Sequence, residues 1–195
     1  MIRHAVLPLL LGAIALAACS GTPPSRYYLM DAGPPAAAVV DGPVVFVDQA
    51  TVAPYADRSP IVVRRGETEV AFAEFDTWAE PVGGQITVVI ADALGDRFGR
   101  ANVLPTPGRR DRQAEFRVSV EVLRFEIATD NQAMLDARWT LLGGPGEEFV
   151  AAGRERLTAA PALADLYDAR VAALSATLVE LAGSIATAIE TESAN

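Results

Sequence analysis

The 195-residue sequence contains one cysteine, one histidine and no lysine. The cysteine is Cys19 and the histidine is His4, so both lie at the amino-terminal end. A folded body that begins after Cys19 has neither a free thiol nor an imidazole, which excludes Ser-His-Asp and Cys-His nucleophile systems. The same lack excludes a zinc site built on histidine or cysteine. With one cysteine, no disulfide can form within the chain.

The chain also lacks net positive charge and a phosphate-binding loop. Its formal net charge is −9, and an acidic chain is a poor partner for nucleic acid, which is bound by cations that contact its phosphates. The stretch "GGPGEE" at 143–148 has no lysine and no following helix pattern, so it is typical of a turn. Catalysis by carboxylates alone needs a defined pair of acids, and none stands out. We therefore predict that the protein is not an enzyme and holds no metal or cofactor.

The first residues that carry information are those before and at the cysteine. A short basic start precedes an apolar run over 5–18; the run is shorter than the roughly 20 residues of a transmembrane helix and has the length of a signal-peptide core. Leu16-Ala17-Ala18-Cys19 then matches the lipobox of bacterial lipoproteins, in which the thiol receives a diacylglyceryl group. The alternatives are a buried core cysteine or an ordinary signal peptide in which Cys19 is incidental. We predict a signal peptide over 1–18 and lipidation of Cys19.

Lipidation would place the protein in the cell envelope. Each buried methylene of an acyl chain contributes about 0.8 kcal/mol, so two or three chains anchor a protein stably. Ser20 follows the cysteine, whereas an Asp at that position favours inner-membrane retention in enterobacterial sorting. We predict a lipid-anchored protein on the periplasmic side, at the outer membrane rather than the inner membrane.

The rest of the chain is predicted to form a tether and one domain. Residues 19–42 contain a short strand at 26–30 and a linker rich in Pro, Gly and Ala, and residues 43–195 form the domain. Within the domain, a buried strand is expected at 44–52. Two β-rich arms at 61–75, on either side of an Arg-Gly-Glu turn, indicate a hairpin.

Two apolar periodicities predict the helices. From Val82 to Phe98 the apolar residues have helical spacing, and Gly99 ends the pattern. Gly83 and Gly84 weaken the first turn, so the helix is expected to start further inward. The second stripe steps by four and three residues through Tyr167, Val171, Leu174, Leu178, Leu181, Ile185 and Ala188. Packing of this helix on the sheet is the favoured interpretation, and a coiled coil or partner-facing helix is the alternative.

Alternation of apolar and polar residues predicts three consecutive long strands. The strand at 115–129 changes phase after Val122, which indicates either a β-bulge or a strand whose two halves bury different faces. Strands at 134–142 and 148–158 follow, and the three are expected to form an antiparallel meander. Because strands occur in runs with few helices, we predict an α+β fold: a single domain with an antiparallel-rich mixed sheet and two main helices packed on it.

These segments together resemble a known family. "PYADRSPIVVRRGETEV", "EFDTWAEP", a helix, "VSVEVLRFE", "ARWTLL" and "LYDARVAALSATLVELAGSIA" are similar to the ABC-type transport auxiliary lipoprotein family, also called PqiC-like and formerly a domain of unknown function. The resemblance covers residues 26–190. The spacing around Asp57, Arg58 and Pro60 departs by one residue from the family pattern, whereas Trp78-Ala79-Glu80-Pro81 and the lipobox are intact.

The resemblance implies an accessory role. Family members are partners of MCE-domain proteins, which form conduits for phospholipid or similar apolar molecules between the two membranes. An ABC permease and ATPase, or a PqiA-like membrane protein, lies at the inner end of such a conduit. The lipoprotein would dock or receive the conduit and support envelope integrity, and assembly of several copies into a ring is also consistent with the resemblance. The alternative functions are a lipid-binding periplasmic chaperone and a structural lipoprotein for envelope assembly.

The candidate partner-binding residues are Asp57, Arg58, Arg64, Trp78 and Glu80. Each also has an ordinary structural interpretation. The two loop residues at 57–58 could form an exposed ion pair with each other, which contributes about 0–1 kcal/mol. Arg64 could be a solvated residue at the hairpin tip. The Trp-Ala-Glu-Pro segment could be a helix entry, with the Trp packed and the Pro fixing the turn.

A basic loop at 109–112 is a further candidate. It contains three arginines in an otherwise acidic protein. It could lie against anionic headgroups, at about 1 kcal/mol per charge, although a plain exposed loop is the favoured interpretation.

Overall fold

The computed structural model describes residues 23–35, 42–106, 112–164 and 166–194. The predicted signal peptide, Cys19 and the arginines at 109 and 110 lie outside the described residues. The described elements are nine strands and two helices: β1 (Arg26–Tyr28), β2 (Val45–Val47), β3 (Thr51–Val52), β4 (Pro60–Arg64), β5 (Val70–Trp78), α1 (Val82–Phe98), β6 (Val103–Pro105), β7 (Phe116–Ile127), β8 (Ala133–Gly143), β9 (Glu148–Ala159) and α2 (Tyr167–Ser193).

Strand β7 lies at the centre of a sheet that forks on one side. Along one edge β7 pairs with β8 over its full length, and β8 pairs with β9, both antiparallel. Along the other edge β2, β3 and β4 follow one another, all parallel to β7. Beyond β2 lies β6, and beyond β4 lie β5 and then β1. The long antiparallel pairings and the short parallel ones together confirm the predicted antiparallel-rich mixed sheet.

The predicted bulge in the central strand is confirmed. The register between β7 and β8 shifts between Val122 and Arg124, where the apolar alternation changes phase. Before the shift Val118, Val120 and Val122 face the core, and after it Phe125 and Ile127 do so. The extra residue therefore lets both halves of one strand bury apolar side chains on the same face.

The strand predicted at 44–52 is two short strands instead of one. Between them the backbone N–H of Ala50 donates to the Thr87 hydroxyl at 2.8 Å instead of to a neighbouring strand. The Asp48 carboxylate accepts hydrogen bonds from Arg117 at 2.7 Å and from Ser119 at 2.9 Å. At Ala50 a side chain of the helix thus replaces the hydrogen bond of a continuous ladder, whereas the N–H of Asp48 still donates to the carbonyl of Val118 on β7 at 2.8 Å.

Helix α1 begins at Val82, so the expected inward shift of its start is wrong. Gly83 lies so close to β3 that an added Cβ would be 2.7 Å from the carbonyl oxygen of Ala50. Tertiary packing of the helix start against this strand outweighs the weak helix propensity of glycine, which amounts to about 1 kcal/mol per residue. Gly99, at φ 93°, ends the helix and donates its N–H to Gly95 at 2.8 Å.

The two helices pack beside each other on the sheet, as predicted. The stripe on α2 is core: Leu174, Leu178, Leu181 and Ile185 are fully buried. Helix α2 is the one described helix whose length and apolar composition would let it cross a bilayer, but 56% of its most apolar stretch is buried inside the fold. It therefore belongs to the core, which α1 shares through Ile86, Ile90 and Leu94.

Candidate functional site

Two of the predicted segments lie side by side at one end of the sheet. The backbone N–H of Trp78 donates to the carbonyl of Ser59 at 2.6 Å. This bond places the loop at 53–59 beside the segment at 78–80, although about twenty residues separate them in the sequence. The two candidate segments thus form one surface.

The exposed charged residues of that surface are Asp57, Arg58 and Glu80, and we call it the Asp57–Glu80 surface. The expected ion pair between Asp57 and Arg58 is absent from the described residues. Instead, the guanidinium carbon of Arg58 lies 5.6 Å from the centroid of the half-exposed Phe72 ring, a cation–π arrangement. The three charges are therefore turned toward solvent, where a partner could meet them.

Trp78 lies inside the core. It is 5% exposed, and its indole stacks on Phe125 with a centroid distance of 6.0 Å and an interplanar angle of 28°. Pro81 is the residue that precedes the first turn of α1. This packing matches the helix-entry interpretation of the Trp-Ala-Glu-Pro segment. Trp78 supports the Asp57–Glu80 surface from below instead of contributing to it.

Gln85 holds the same corner together, and no pattern in the sequence pointed to it. Its amide nitrogen donates to the Glu80 carbonyl at 2.8 Å, and its amide oxygen accepts from the backbone N–H of Met30 at 2.9 Å. The side chain is 5% exposed. One buried amide thus joins the N-terminal segment, the end of β5 and the start of α1.

Arg64 is turned into the fold. Its guanidinium forms an ion pair with the fully buried Glu126, with Nη2 at 2.9 Å from Oε2, and the Tyr55 hydroxyl donates to the same oxygen at 2.9 Å. The hydrogen bond to Glu126 raises the pKa of Arg64. Burial, together with the charge of Glu126, raises the pKa of Tyr55 to about 12. Arg64 therefore has an internal role, and partner binding by it stays a prediction.

A second ion pair fixes the N-terminal segment. Arg26 reaches Asp76 with its Nε at 2.7 Å and its Nη2 at 3.0 Å, and the Tyr28 hydroxyl donates to Asp76 at 2.8 Å. Burial and the hydrogen bond to Asp76 raise the pKa of Tyr28 to about 12. The alternation of buried and exposed residues along β1 and β5 shows which side chains face inward. The parallel pairing of the two strands could not be predicted from the sequence.

A third cluster lies on the polar side of the meander. Asp136 on β8 accepts two hydrogen bonds of 2.8 Å from Arg154 and one of 3.0 Å from Arg156. These contacts, led by the hydrogen bond from Arg154, lower the pKa of Asp136. The alternation of Arg154 and Arg156 could have pointed to such a cluster, but only the strand register shows that they share one carboxylate.

Large aliphatic side chains fill the space between the sheet and the helices. Leu135 and Leu141 from β8 belong to the same core cluster as Leu178 and Leu181 from α2, and all four are fully buried. Within the described residues, no group of three His, Cys, Asp or Glu side chains is placed to hold a metal ion. A partner would therefore contact the surface of this fold and not its interior.

Comparison with known proteins identifies relatives by sequence and by fold. The profile of the family described as "ABC-type transport auxiliary lipoprotein component" matches residues 27–186. One uncharacterised protein of known structure has a TM-score of 0.70 and 18% identity, over 85% of this chain and 98% of that one. XCC0632 from Xanthomonas campestris, a DUF330 protein, has a TM-score of 0.65 and 19% identity, over 88% and 98%.

A more distant similarity is to PelC from Paraburkholderia phytofirmans, which was crystallised as a dodecamer. Its TM-score is 0.46 with 15% identity, over 80% of this chain and 92% of that one. No protein of curated function matches the sequence.

Proposed function

Because the chain belongs to the ABC-type transport auxiliary lipoprotein family, we propose that it is the periplasm-facing lipoprotein subunit of an MCE/ABC-type intermembrane lipid transport system. The family match over nearly the whole domain, together with the lipobox at Cys19, carries this proposal. The subunit docks or receives the MCE conduit, and through it meets an ABC permease and ATPase or a PqiA-like protein. It acts as a docking component at the outer membrane, without catalysing a reaction.

The Asp57–Glu80 surface is the contact we propose for the MCE-domain protein. Its three charged side chains are exposed, while Trp78 and Gln85 hold the backbone beneath them in place. Charged groups on a rigid support give an interface its specificity and orientation, because like charges brought together cost several kcal/mol. The chaperone alternative requires a lipid pocket between sheet and helix; the core there is filled by apolar side chains, and the groove of about 600 Å³ between β1 and α2 opens at the surface instead of enclosing a ligand.

A cross-linking pull-down from membranes in mild detergent tests the proposal. The wild-type lipoprotein should recover an MCE-domain protein. The charge reversals Arg58→Glu and Glu80→Arg together should lower that recovery about tenfold, the effect of 1.4 kcal/mol. Arg138→Glu is the matched control, because Arg138 is 55% exposed and lies on β8, outside the two segments of the Asp57–Glu80 surface.

The outcomes separate the partner from the surface. If the wild type recovers no MCE-domain protein, the transport role is wrong. If the wild type recovers the MCE-domain protein, and the double variant recovers as much of it as the Arg138→Glu control does, the proposed partner is right but the contact lies elsewhere on the lipoprotein. Assembly into a ring stays a prediction, which native mass spectrometry of the detergent-solubilised protein tests.

A further inference from the structure

An apolar groove lies between the N-terminal segment and the first half of α2. Tyr27 and Leu29 form one wall, and Ala172, Ala176 and Val179 on α2 form the other. We call it the β1 groove; its volume is about 600 Å³. Tyr27 is 70% exposed and Leu29 57% exposed, so both present apolar surface to whatever lies outside this end of the molecule.

The exposed apolar surface continues into the loop before α2. Leu163 and Leu166 are 60% and 51% exposed, and the N–H of Leu166 donates to the Leu163 carbonyl at 3.2 Å. The next residue, Tyr167, has its ring 6.2 Å from that of Tyr28, which ties this loop to β1. Five of the eight large apolar side chains exposed in the described residues therefore lie at this end. Such concentrations mark protein or membrane contacts.

The predicted lipid anchor at Cys19 indicates which of the two, a protein or a membrane, contacts this exposed apolar surface. Cys19 precedes Arg26 by seven residues, and a fully extended chain spans at most about 3.6 Å per residue, or about 25 Å here. An acylated Cys19 would therefore hold β1 within this distance of the bilayer. The opposite end of the molecule is farther away: Ala172 and Glu192 are separated by about 30 Å along α2, at 1.5 Å per residue.

We infer that the β1 end of the protein rests on the bilayer surface, with Tyr27, Leu29 and Leu166 inserted at the level of the headgroups. The inference rests on the lipid anchor of the proposed function. Tyrosine suits this position because one end of its side chain is apolar and the other is polar. Asp31 and Asp168 line the groove, and Arg26 and Arg170 lie over the neighbouring Tyr167 ring. Because these two acids and two bases balance, attraction to anionic headgroups is not the driving force, and the contact should change little with salt.

Site-specific fluorescence tests this orientation on the full, acylated protein. Acylation of Cys19 consumes the only native thiol, so Leu29→Cys can be labelled selectively with an environment-sensitive dye. Phe149→Cys is the matched control, because Phe149 is 68% exposed and lies near Glu192 at the far end of α2. Each protein is reconstituted into vesicles of phosphatidylethanolamine and phosphatidylglycerol, with and without a lipid-borne quencher.

The dye at position 29 should shift to shorter wavelength and be quenched by the lipid-borne quencher, at both low and high salt, whereas the dye at 149 should stay water-like. Equal exposure of the two dyes to water would overturn the inference. A blue shift at position 29 without quenching would also overturn it, because a second protein copy would then cover the groove. Mass spectrometry of the N-terminal peptide distinguishes these failures from loss of the anchor, which would contradict the proposed function itself.

Discussion

Glu126 is fully buried, and its charge is balanced by Arg64, whose side chain is 15% exposed. Two charges removed from water are tolerated only when their hydrogen bonds are satisfied. Tyr55 supplies the remaining hydrogen bond to the carboxylate. At the scale of single residues, such clusters connect elements that are distant in the chain: this one joins the loop before β4, β4 itself and β7.

Replacing Glu126 by Ala should lower the free energy of unfolding by about 3–5 kcal/mol, because it leaves the largely buried Arg64 charge without an opposite charge. Glu121→Ala is the control. Glu121 lies on the same strand and also pairs with an arginine, but both side chains are more than half exposed, so its loss should cost about 0–1 kcal/mol. Urea unfolding followed by tryptophan fluorescence measures both; equal effects would show that burial of the first pair does not matter.

Asp136 should make stability depend on pH in the acidic range. Its pKa is lowered from 3.8, chiefly by the hydrogen bond from Arg154. Since the pKa is lower in the folded state, the ionised carboxylate stabilises the fold above about pH 3.8, and this contribution is lost as pH falls through the folded-state pKa. Asp136→Asn should therefore lower the urea midpoint at pH 7, and by progressively less as the pH falls below about 3.8.

The control for this pH dependence is Asp57→Asn, because Asp57 forms no ion pair within the described residues. It should leave the urea midpoint unchanged at neutral pH. A constant difference between wild type and Asp136→Asn across the acidic range would contradict the prediction.

At the scale of elements, close packing between neighbours sets the residue choice in β8 and β9. Trp139 on β8 pairs with Gly153 on β9, and a Cβ added to Gly153 would lie 2.6 Å from the indole nitrogen. A glycine in a strand is ordinarily unfavourable, but here it makes room for a large ring. The apolar alternation predicted both strands and not this contact.

Gly153→Ala should destabilise the protein by about 1–3 kcal/mol, because the added methyl overpacks the contact with Trp139. Gly183→Ala is the matched control: Gly183 is inside α2, and an added Cβ would meet nothing within 4 Å. That change should stabilise the protein by about 0.5–1 kcal/mol, the helix-propensity difference. Thermal unfolding compares the two, and effects of the same sign would contradict the packing argument.

Adjacent residues on α2 test whether the stripe belongs to the core. Leu178 is fully buried and Val179 is 36% exposed. Leu178→Ala should cost about 2–5 kcal/mol through lost burial and a residual cavity, while Val179→Ala should stay within about 0.5 kcal/mol. Urea unfolding midpoints of the two variants measure these effects. An unchanged midpoint for Leu178→Ala would favour the coiled-coil alternative.

At the scale of the whole molecule, the fold separates two exposed ends. The β1 groove lies near the predicted anchor, and the Phe149 end lies near the last residues of α2. A single long helix and a central twelve-residue strand hold these ends apart. The body therefore has a defined orientation relative to a membrane only if its N-terminus is anchored there.

Lipidation of Cys19 is the prediction at this scale. Cells grown with an alkyne fatty acid should label the wild-type protein, and Cys19→Ala should abolish the label because no other cysteine exists. Ser20→Ala is the control and should label normally. Unlabelled wild-type protein, with an unmodified N-terminal peptide by mass spectrometry, would contradict the anchor.

The sequence alone determined most of the elements: the α+β class, the presence of a helix ending at Phe98, the stripe on α2 and the change of phase after Val122 all follow from local apolar periodicity, which one segment carries by itself. It did not determine where α1 starts or that the strand predicted at 44–52 is interrupted. Only the tertiary structure decided that β2, β3 and β4 line one edge of β7, that Arg64 meets Glu126, and that Gln85 joins three elements. These contacts depend on which distant segments fold together, and no local period encodes that choice. The Asp57–Glu80 surface shows both: its residues were named from the sequence, but the bond between Ser59 and Trp78 made them neighbours.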